Sequence, residues 1–381
     1  MRKFFRFPLL MMVAALTVTG FSSCSDDNNN NVLELSEKEK TLQQVNAQYV
    51  KALVIPIYKN LADQTLLLFD AVETLAEDLS DSNMARVCDL WKVSRQYWEW
   101  SEAFLFGAAS KYNIDPHIDT WPLDKVALQN LLDSERMMDD IENTVANLNN
   151  GLVGYHGLEY IFFREGQNRS TTNIPEKELR YAVAVALDLA INCCRLEAAW
   201  AGLENVTSTK QAFLEEAEME PEDNFGEQME LAGFAGSPWK TVILGSEQII
   251  DGCRTIVDEV GSMKIGAPYS GQNTDYIESP HAYNSIQDFE DNITGVRFAY
   301  FGQMRATTAH AHSISAYIRS VDPAVDQAVI AAIDNCIAKI QAMPKPFVLH
   351  YTDPKVGEAI EACSALDEAL TAAGVALRME N

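Results

Sequence analysis

The chain has 381 residues, a formal net charge of −26 and seven cysteines, none of them in a CxxC pair. A surface this acidic repels nucleic acid and anionic lipid headgroups, which excludes a nucleic-acid-binding protein. The length exceeds what one hydrophobic core comfortably accommodates, so two domains are predicted.

Residues 1–23 have the pattern of an export signal. A positively charged amino end precedes an apolar run over residues 8–19, which is shorter than the roughly 20 residues of a membrane-spanning helix. Ser22 and Ser23 then precede Cys24, so that a signal peptidase can cut at small residues and the thiol of Cys24 can carry a lipid. An ordinary signal peptide with a chance cysteine is the alternative.

A polar segment over residues 24–35 follows and is predicted to be a tether. Its Ser25-Asp26-Asp27 resembles the acidic surface-export tag of Bacteroidetes lipoproteins. The sequence therefore predicts an envelope lipoprotein that is anchored in the outer membrane through Cys24 and faces either the periplasm or the outside.

Helical spacing dominates the rest of the chain. Apolar residues recur at intervals of three and four, whereas alternating runs with hairpin signals are absent. The helical segments are 36–80, 84–107, 122–148, 176–203, 239–260, 284–302, 305–320, 323–342 and 355–378. An acidic stretch at 215–223 lies between two of them. The sequence thus predicts an all-α protein with one helical domain over 36–205 and a second over 206–381.

The first candidate site is the segment Gly154-Tyr155-His156-Gly157-Leu158-Glu159. On a helix, His156 and Glu159 share one face, and Leu152 and Phe163 lie on that same face, so the pair is predicted to be buried. A buried carboxylate needs an ion-pair partner or a metal. Imidazole with carboxylate is a minimal site for a divalent or ferric ion that needs further ligands. A His–Glu hydrogen bond within the core is the alternative.

Two of the acidic residues from Trp91 to Asp124 are further candidates. Glu102 shares an aromatic helical stripe with Arg95 and Trp98. It either forms an ion pair with Arg95 or another helix, or acts as a third ligand or orienting carboxylate for His156. Asp124 follows a proline and is predicted to cap a helix, where the helix dipole favours a carboxylate.

Residues 278–302 form the third candidate segment. A strip of polar and small residues runs along its predicted helix, namely Asp288, Asn292, Gly295 and Ala299, with Asn284 or Ser285 as the cap. Glycine in mid-helix costs up to about 1 kcal/mol relative to alanine, so close packing or a ligand is expected at Gly295. Two helices in plain contact are the alternative.

The remaining signals are weaker. The cysteines after Cys24 are predicted to be small buried apolar residues, and a disulfide is permitted but not indicated; they are Cys88, Cys193, Cys194, Cys253, Cys336 and Cys363. The sequence contains no HExxH motif, P-loop, glycine-rich dinucleotide motif or nucleophile elbow.

In this order and spacing, the candidate segments resemble the imelysin family, which is named for an insulin-cleaving membrane protease. The resemblance covers roughly residues 40–375. The matching elements are Ser101-Glu102-Ala103-Phe104 with Phe106-Gly107, Trp121-Pro122-Leu123-Asp124, the GxHxxE motif at Gly154, His156 and Glu159, Asp258-Glu259-Val260-Gly261 with Lys264-Ile265, and Asn284-Ser285 with Asp288-Phe289, Asn292-Ile293, Gly295-Val296 and Tyr300.

The resemblance implies two similar four-helix-bundle domains with a site at their interface. The implied metal ligands are His156, Glu159 and Glu102, and the implied residues lining the site are Ser101, Asp124, Ser285, Asp288 and Asn292. No catalytic residue is assigned, because the HxxE region is not built like known metallopeptidase sites.

Family members are associated with iron uptake. We therefore expect a protein that binds iron or another divalent metal, or an iron-bearing ligand, with components of an iron-uptake transporter as partners. A metallopeptidase with Glu159 as ligand or base is the first alternative. A structural adaptor without metal is the second.

The Cys24→Ala substitution should move the protein from the membrane to the soluble fraction, since it removes the thiol that carries the lipid. Detergent partitioning and incorporation of labelled palmitate measure the effect, with Cys194→Ala as the cysteine control. A Cys24→Ala protein that still partitions with detergent and still carries palmitate contradicts the lipoprotein prediction.

Overall fold

The computed structural model describes residues 35–148 and 151–379, so that the leader, Cys24 and most of the tether lie outside the described residues. The described part contains nineteen α-helices and one short hairpin. The all-α prediction is confirmed. Within the same residues, no helix has both the length and the apolar character needed to cross a bilayer.

The helices follow one another with short connections. Up to residue 216 they are α1 (Glu37–Tyr49), α2 (Ile55–Glu77), α3 (Asp81–Ser101), α4 (Ala108–Lys111), α5 (Asp115–Ile118), α6 (Lys125–Asp133), α7 (Glu135–Asp139), α8 (Ile141–Ala146), α9 (Gly154–Phe162), α10 (Glu176–Ala201) and α11 (Ser208–Glu216). The antiparallel strands β1 (Phe163–Arg164) and β2 (Gln167–Asn168) follow α9, with Phe163 paired to Asn168. The remaining helices are α12 (Phe225–Glu230), α13 (Val242–Asp258), α14 (Gly266–Tyr269), α15 (Ser285–Phe301), α16 (Ile314–Val321), α17 (Pro323–Gln341), α18 (Phe347–His350) and α19 (Pro354–Arg378).

Local signals set many helix ends. Ser36 and Glu39 form a capping box at α1, which satisfies two backbone N–H groups that the first turn leaves free. Asp322 caps α17, whose first residue is Pro323. Gly302 ends α15 with a left-handed φ of 78°, as its position at the end of the helical pattern predicts.

The longer helices pack into two rings of four. In the first ring, α2 packs against α3 and α10, and α9 closes the ring between α3 and α10. In the second, α13 packs against α15 and α19, and α17 closes it. Helix α15 also packs on α3, and α1 packs on α13, so the described residues from Ser36 onward cluster into one unit. The domain limits at 205 and 206 stay a prediction.

Several predicted segments are shorter or broken. The segment 122–148 divides into α6, α7 and α8, and 305–320 is helical only from Ile314, since Arg305 has a left-handed φ of 58°. Leu152 and Phe163 lie outside α9 and do not share its face, although both are buried. Helix α9 begins at Gly154, where a Cβ would lie 2.2 Å from the Ile118 carbonyl oxygen.

Close approach of α15 to α3 depends on Gly295. A Cβ there would lie 2.4 Å from the Trp100 carbonyl oxygen, so the mid-helix glycine has the close-packing role that its cost in a helix predicts. The six cysteines among the described residues are all buried, as predicted for most of them, and the structure has no bridge between them.

Gly295→Ala should lower the free energy of unfolding by about 1–3 kcal/mol, because overpacking against rigid backbone forces the helices apart. Gly374→Ala on α19 is the matched control, since a Cβ there meets only ordinary contact at 3.8 Å from Ile250. That control should gain about 0.5–1 kcal/mol from helix propensity. Urea unfolding measures both, and equal gains would contradict the close-packing role of Gly295.

Candidate metal centre in a buried charge cluster

Nine ionisable side chains meet where α3, α9 and α15 come together, and none is more than 7% exposed. We call them the charge cluster: Arg95, Glu99, Glu102, Asp119, His156, Glu159, Lys264, Glu278 and Asp288. They come from α3, α9 and α15, from the segments directly after α3, α5 and α13, and from the connection before α15. Six are acids and three are bases, so the cluster contains more potential negative than positive charge.

Arg95 lies at the centre of the charge cluster. Its Nη1 is 2.7 Å from Asp119 Oδ1, and its Nη2 is 2.6 Å from Glu278 Oε1. The same Nη2 lies 2.7 Å from Glu99 Oε1, and Nε lies 3.3 Å from Asp288 Oδ1. Because a guanidinium keeps its proton in proteins, Arg95 supplies a permanent positive charge to four carboxyl groups.

His156 faces carboxyl groups on both sides of its ring. Nδ1 lies 3.3 Å from Glu159 Oε2, while Nε2 lies 2.8 Å from Glu278 Oε1 and 3.1 Å from Asp119 Oδ1. Among the described residues, Nε2 has no partner in hydrogen-bond geometry. Burial by itself would lower the pKa of His156, but the charge of Glu278 and the proximity of Asp119 and Glu159 raise it.

Glu159 joins α9 to the segment before α15 through hydrogen bonds. Its Oε1 accepts hydrogen bonds from the backbone N–H groups of His281, at 2.7 Å, and Ala282, at 2.8 Å. The flanking residues Ser279 and Tyr283 have left-handed φ angles of 41° and 56°. Such backbone conformations persist in non-glycine residues only where surrounding contacts hold them, as Glu159 does here.

Lys264 occupies the other end of the charge cluster. Its Nζ lies 2.9 Å from Glu102 Oε2, 3.6 Å from Glu278 Oε2 and 3.7 Å from Glu99 Oε2. Asn292 Nδ2 donates to Glu102 and, at 2.7 Å, to Glu99 Oε2. The partners of Glu102 are thus Lys264 and Asn292, which realises its predicted pairing with another part of the chain rather than with Arg95.

Two of these carboxyl groups resist ionisation. Burial raises the pKa of Glu102 to about 8, even though Lys264 lowers it in part. Burial also raises the pKa of Glu99 well above its usual range, against the opposing charges of Arg95 and Lys264. Protons on these acids reduce the excess of negative charge in the cluster.

The carboxyl groups that face His156 behave in the opposite way. Burial alone would raise the pKa of Asp119, but Arg95 and His156 hold it below its usual range. Lys264, His156 and Arg95 likewise lower the pKa of Glu278 to about 2 against the effect of burial. Asp119 and Glu278 are therefore ionised at neutral pH, as metal ligands must be.

The structure brings six of the predicted site residues into one network of hydrogen bonds and ion pairs and leaves two outside it. The six are His156, Glu159, Glu102, Ser285, Asp288 and Asn292; of these, Ser285 donates to the backbone oxygen of Glu278. Ser101 instead donates to the Trp98 carbonyl oxygen at 2.7 Å. Asp124 is exposed and caps α6 through the N–H groups of Val126 and Ala127, as its capping alternative predicts.

Sequence reasoning did not assign five members of the cluster to the site: Arg95, Glu99, Asp119, Lys264 and Glu278. The sequence contained one signal for an ion pair, since Arg95 and Glu99 are four residues apart on a helix and share a face. Asp119 and Glu278 lie in connections without periodicity, so nothing in the pattern predicted that they are buried.

Two groups of side chains have the composition of a cation site. Asp119, His156 and Glu278 each offer a ligand atom, and these atoms lie within 4.8 Å of one another; the same is true of Glu99, Glu278 and Asp288. Among the described residues, Glu278 Oε2 lacks a hydrogen-bond partner, like His156 Nε2. One imidazole with two carboxylates fits a first-row divalent or ferric ion.

Comparison with known proteins agrees with this architecture. The chain is 24% identical to iron-regulated protein A of Synechococcus elongatus over 307 residues, which cover 81% of this chain and 77% of that protein. It is 26% identical to a solved protein from Parabacteroides distasonis assigned as an iron-regulated protein A precursor, with a TM-score of 0.79 over 91% of this chain and 97% of that one.

An imelysin-like protein from Psychrobacter arcticum has the same fold, with a TM-score of 0.54 at 15% identity over 88% of this chain and 94% of that one. The sequence profile of the Imelysin family matches residues 54–373. This span includes every member of the charge cluster, and it confirms the family that the motifs predict. The chain belongs to the imelysin family.

Proposed function

We propose that this protein binds iron as a cargo ion in iron handling at the cell envelope, and that Asp119, His156 and Glu278 hold the ion. The observation that carries the proposal is the orientation of His156. Its Nδ1 faces Glu159 and its Nε2 faces two ionised carboxylates. A histidine that ligates a metal typically donates its other N–H to a carboxylate, which fixes the ring. An ion bound at Nε2 would displace the proton that the two carboxylates favour there.

This ligand set differs from the one that the family resemblance implies. Glu159 acts as the orienting carboxylate, because one of its oxygens is held by two backbone N–H groups and the other faces His156 Nδ1. Glu102 is engaged by Lys264 and Asn292. Asp119 and Glu278 therefore replace Glu159 and Glu102 as the proposed carboxylate ligands.

Deep burial favours a binding protein over a peptidase. Asp119, His156 and Glu278 are 5%, 3% and 0% exposed, whereas a hydrolytic metal needs an open position that water and a peptide can reach. The adaptor alternative rests on a separate observation, namely that Arg95 and Lys264 already neutralise part of the cluster. Metal titration separates the two functions.

The envelope location is part of the proposal and rests on the leader and Cys24. A lipid on Cys24 would keep the binding domain beside the membrane, where transporter components of iron uptake could receive the ion. The excess of acidic residues attracts cations towards this surface.

Ferrous or ferric ion should stabilise the wild-type protein against heat, and His156→Ala should lose that response. A ligand at about 100 times its Kd adds about 2.7 kcal/mol to the folded state. His350→Ala is the matched control, because His350 is exposed on α18, and it should respond like the wild type. Melting temperatures with ferrous, ferric and zinc ions and with haem provide the measurement. If none of the four changes the wild-type melting temperature, the adaptor function replaces this proposal.

The free energy of unfolding of the metal-free protein should fall as pH rises from about 5 to 8. In the unfolded chain Glu102 ionises near the ordinary glutamate pKa of 4.5, whereas in the fold its pKa is about 8, so the folded state holds one more proton in this window. That proton contributes about 1.4 kcal/mol per pH unit. Glu102→Gln should flatten the slope by this amount, and the exposed Glu361→Gln should leave it unchanged. Identical slopes for the wild type and Glu102→Gln, measured by urea unfolding, would contradict the assignment.

A further inference from the structure

The two groups that could hold a cation share Glu278. One group adds Asp119 and His156 to this carboxylate, and the other adds Glu99 and Asp288. Carboxylate-rich helical proteins often hold two metal ions about 3.5–4 Å apart, with ligands shared between them. The arrangement of side chains therefore raises the question of whether this chain takes one ion or two.

The second group already contains a cation, the guanidinium of Arg95. Nη2 contacts Glu99 Oε1 at 2.7 Å and Glu278 Oε1 at 2.6 Å, and Nε contacts Asp288 Oδ1 at 3.3 Å. All three carboxyl groups of this group are thus paired with one positive side chain. A metal ion there would lie next to a fixed positive charge in a buried environment, where like charges repel strongly.

Arg95 cannot easily leave this position. It is 0% exposed, and its guanidinium carbon lies 5.6 Å from the centre of the Trp91 ring and 5.4 Å from that of Tyr155. Trp91 Nε1 donates to the Tyr155 backbone oxygen at 3.0 Å, which fastens the two aromatic residues to each other. A guanidinium also cannot make way for a metal by losing its proton.

Arg95 also contacts both carboxylates of the first group, but the third member of that group is an imidazole rather than a third carboxyl group. An imidazole nitrogen is an ordinary metal ligand, and no hydrogen-bond partner among the described residues occupies His156 Nε2. Arg95 Nη1 lies 2.7 Å from Asp119 Oδ1, so the guanidinium also fixes a ligand of the first group.

We propose that Arg95 is a built-in cation that takes the place of a second metal ion, so that the chain binds one ion, at Asp119, His156 and Glu278. The inference rests on the proposed function and adds the stoichiometry of its site. Arg95 is a positioning residue in this scheme, because it orders Asp119 and Glu278 without ligating the metal.

Isothermal titration with Zn²⁺ as a redox-stable probe, followed by metal analysis after dialysis, tests the proposal. The wild type and the charge-preserving Arg95→Lys should each bind one equivalent. Arg95→Gln should bind two, because Zn²⁺ can then replace the internal cation among Glu99, Glu278 and Asp288, displacing any proton that these carboxyl groups carry. Arg95→Gln combined with Glu99→Gln should return to one equivalent, since the second group loses a ligand.

Two equivalents in the wild type, or one in a folded Arg95→Gln protein, overturn the proposal. No bound ion in the wild type overturns the proposed function and this inference together, which distinguishes the two failures. If Arg95→Gln does not fold, anomalous scattering from wild-type crystals with the same metal shows how many ions bind. One peak beside His156 supports the proposal, and a second peak between Glu99 and Asp288 overturns it.

Discussion

The buried positive charge of Arg95 is the constraint on which the arrangement of the site depends. Four acids, from α3, from α15 and from the connections before and after them, lie within 3.3 Å of its guanidinium nitrogens. Leaving one member of such a network without its partner costs about 3–5 kcal/mol, because an uncompensated charge then stays in a medium of low polarity. The backbone segments that carry these acids are therefore held within contact distance of the Arg95 guanidinium.

Close backbone contacts make this compensation possible. Gly295 lets α15 approach the Trp100 carbonyl oxygen, and Gly252 lets α13 approach that of Ala103. Both contacts lie at the end of α3, next to Glu99 and Glu102. Because these two glycines have no side chain, helices of the second ring come near enough for Asn292 to reach Glu99 and Glu102. Packing and electrostatics act together here.

The carboxylate of Glu159 fixes the geometry of the proposed ion site. One oxygen of Glu159 faces His156 Nδ1, and the other accepts hydrogen bonds from two backbone N–H groups of the connection that contains Glu278. The HxxE motif therefore positions two of the three proposed ligands, one directly and one through the backbone. This explains how the motif can be central to the site although Glu159 is not itself among the proposed ligands.

The sequence by itself determined the all-α fold, the main helices and the shared helix face of His156 and Glu159, because helical periodicity and i, i+3 spacing are local properties. The burial of the pair depends on the tertiary structure, since Leu152 and Phe163 lie outside α9. It also indicated close packing at Gly295 through the cost of glycine in a helix. Only the tertiary structure decided that Asp119 and Glu278 face His156 and that Glu102 faces Lys264. These contacts join residues more than a hundred positions apart, or residues in connections without periodicity, and depend on how the two rings of helices pack.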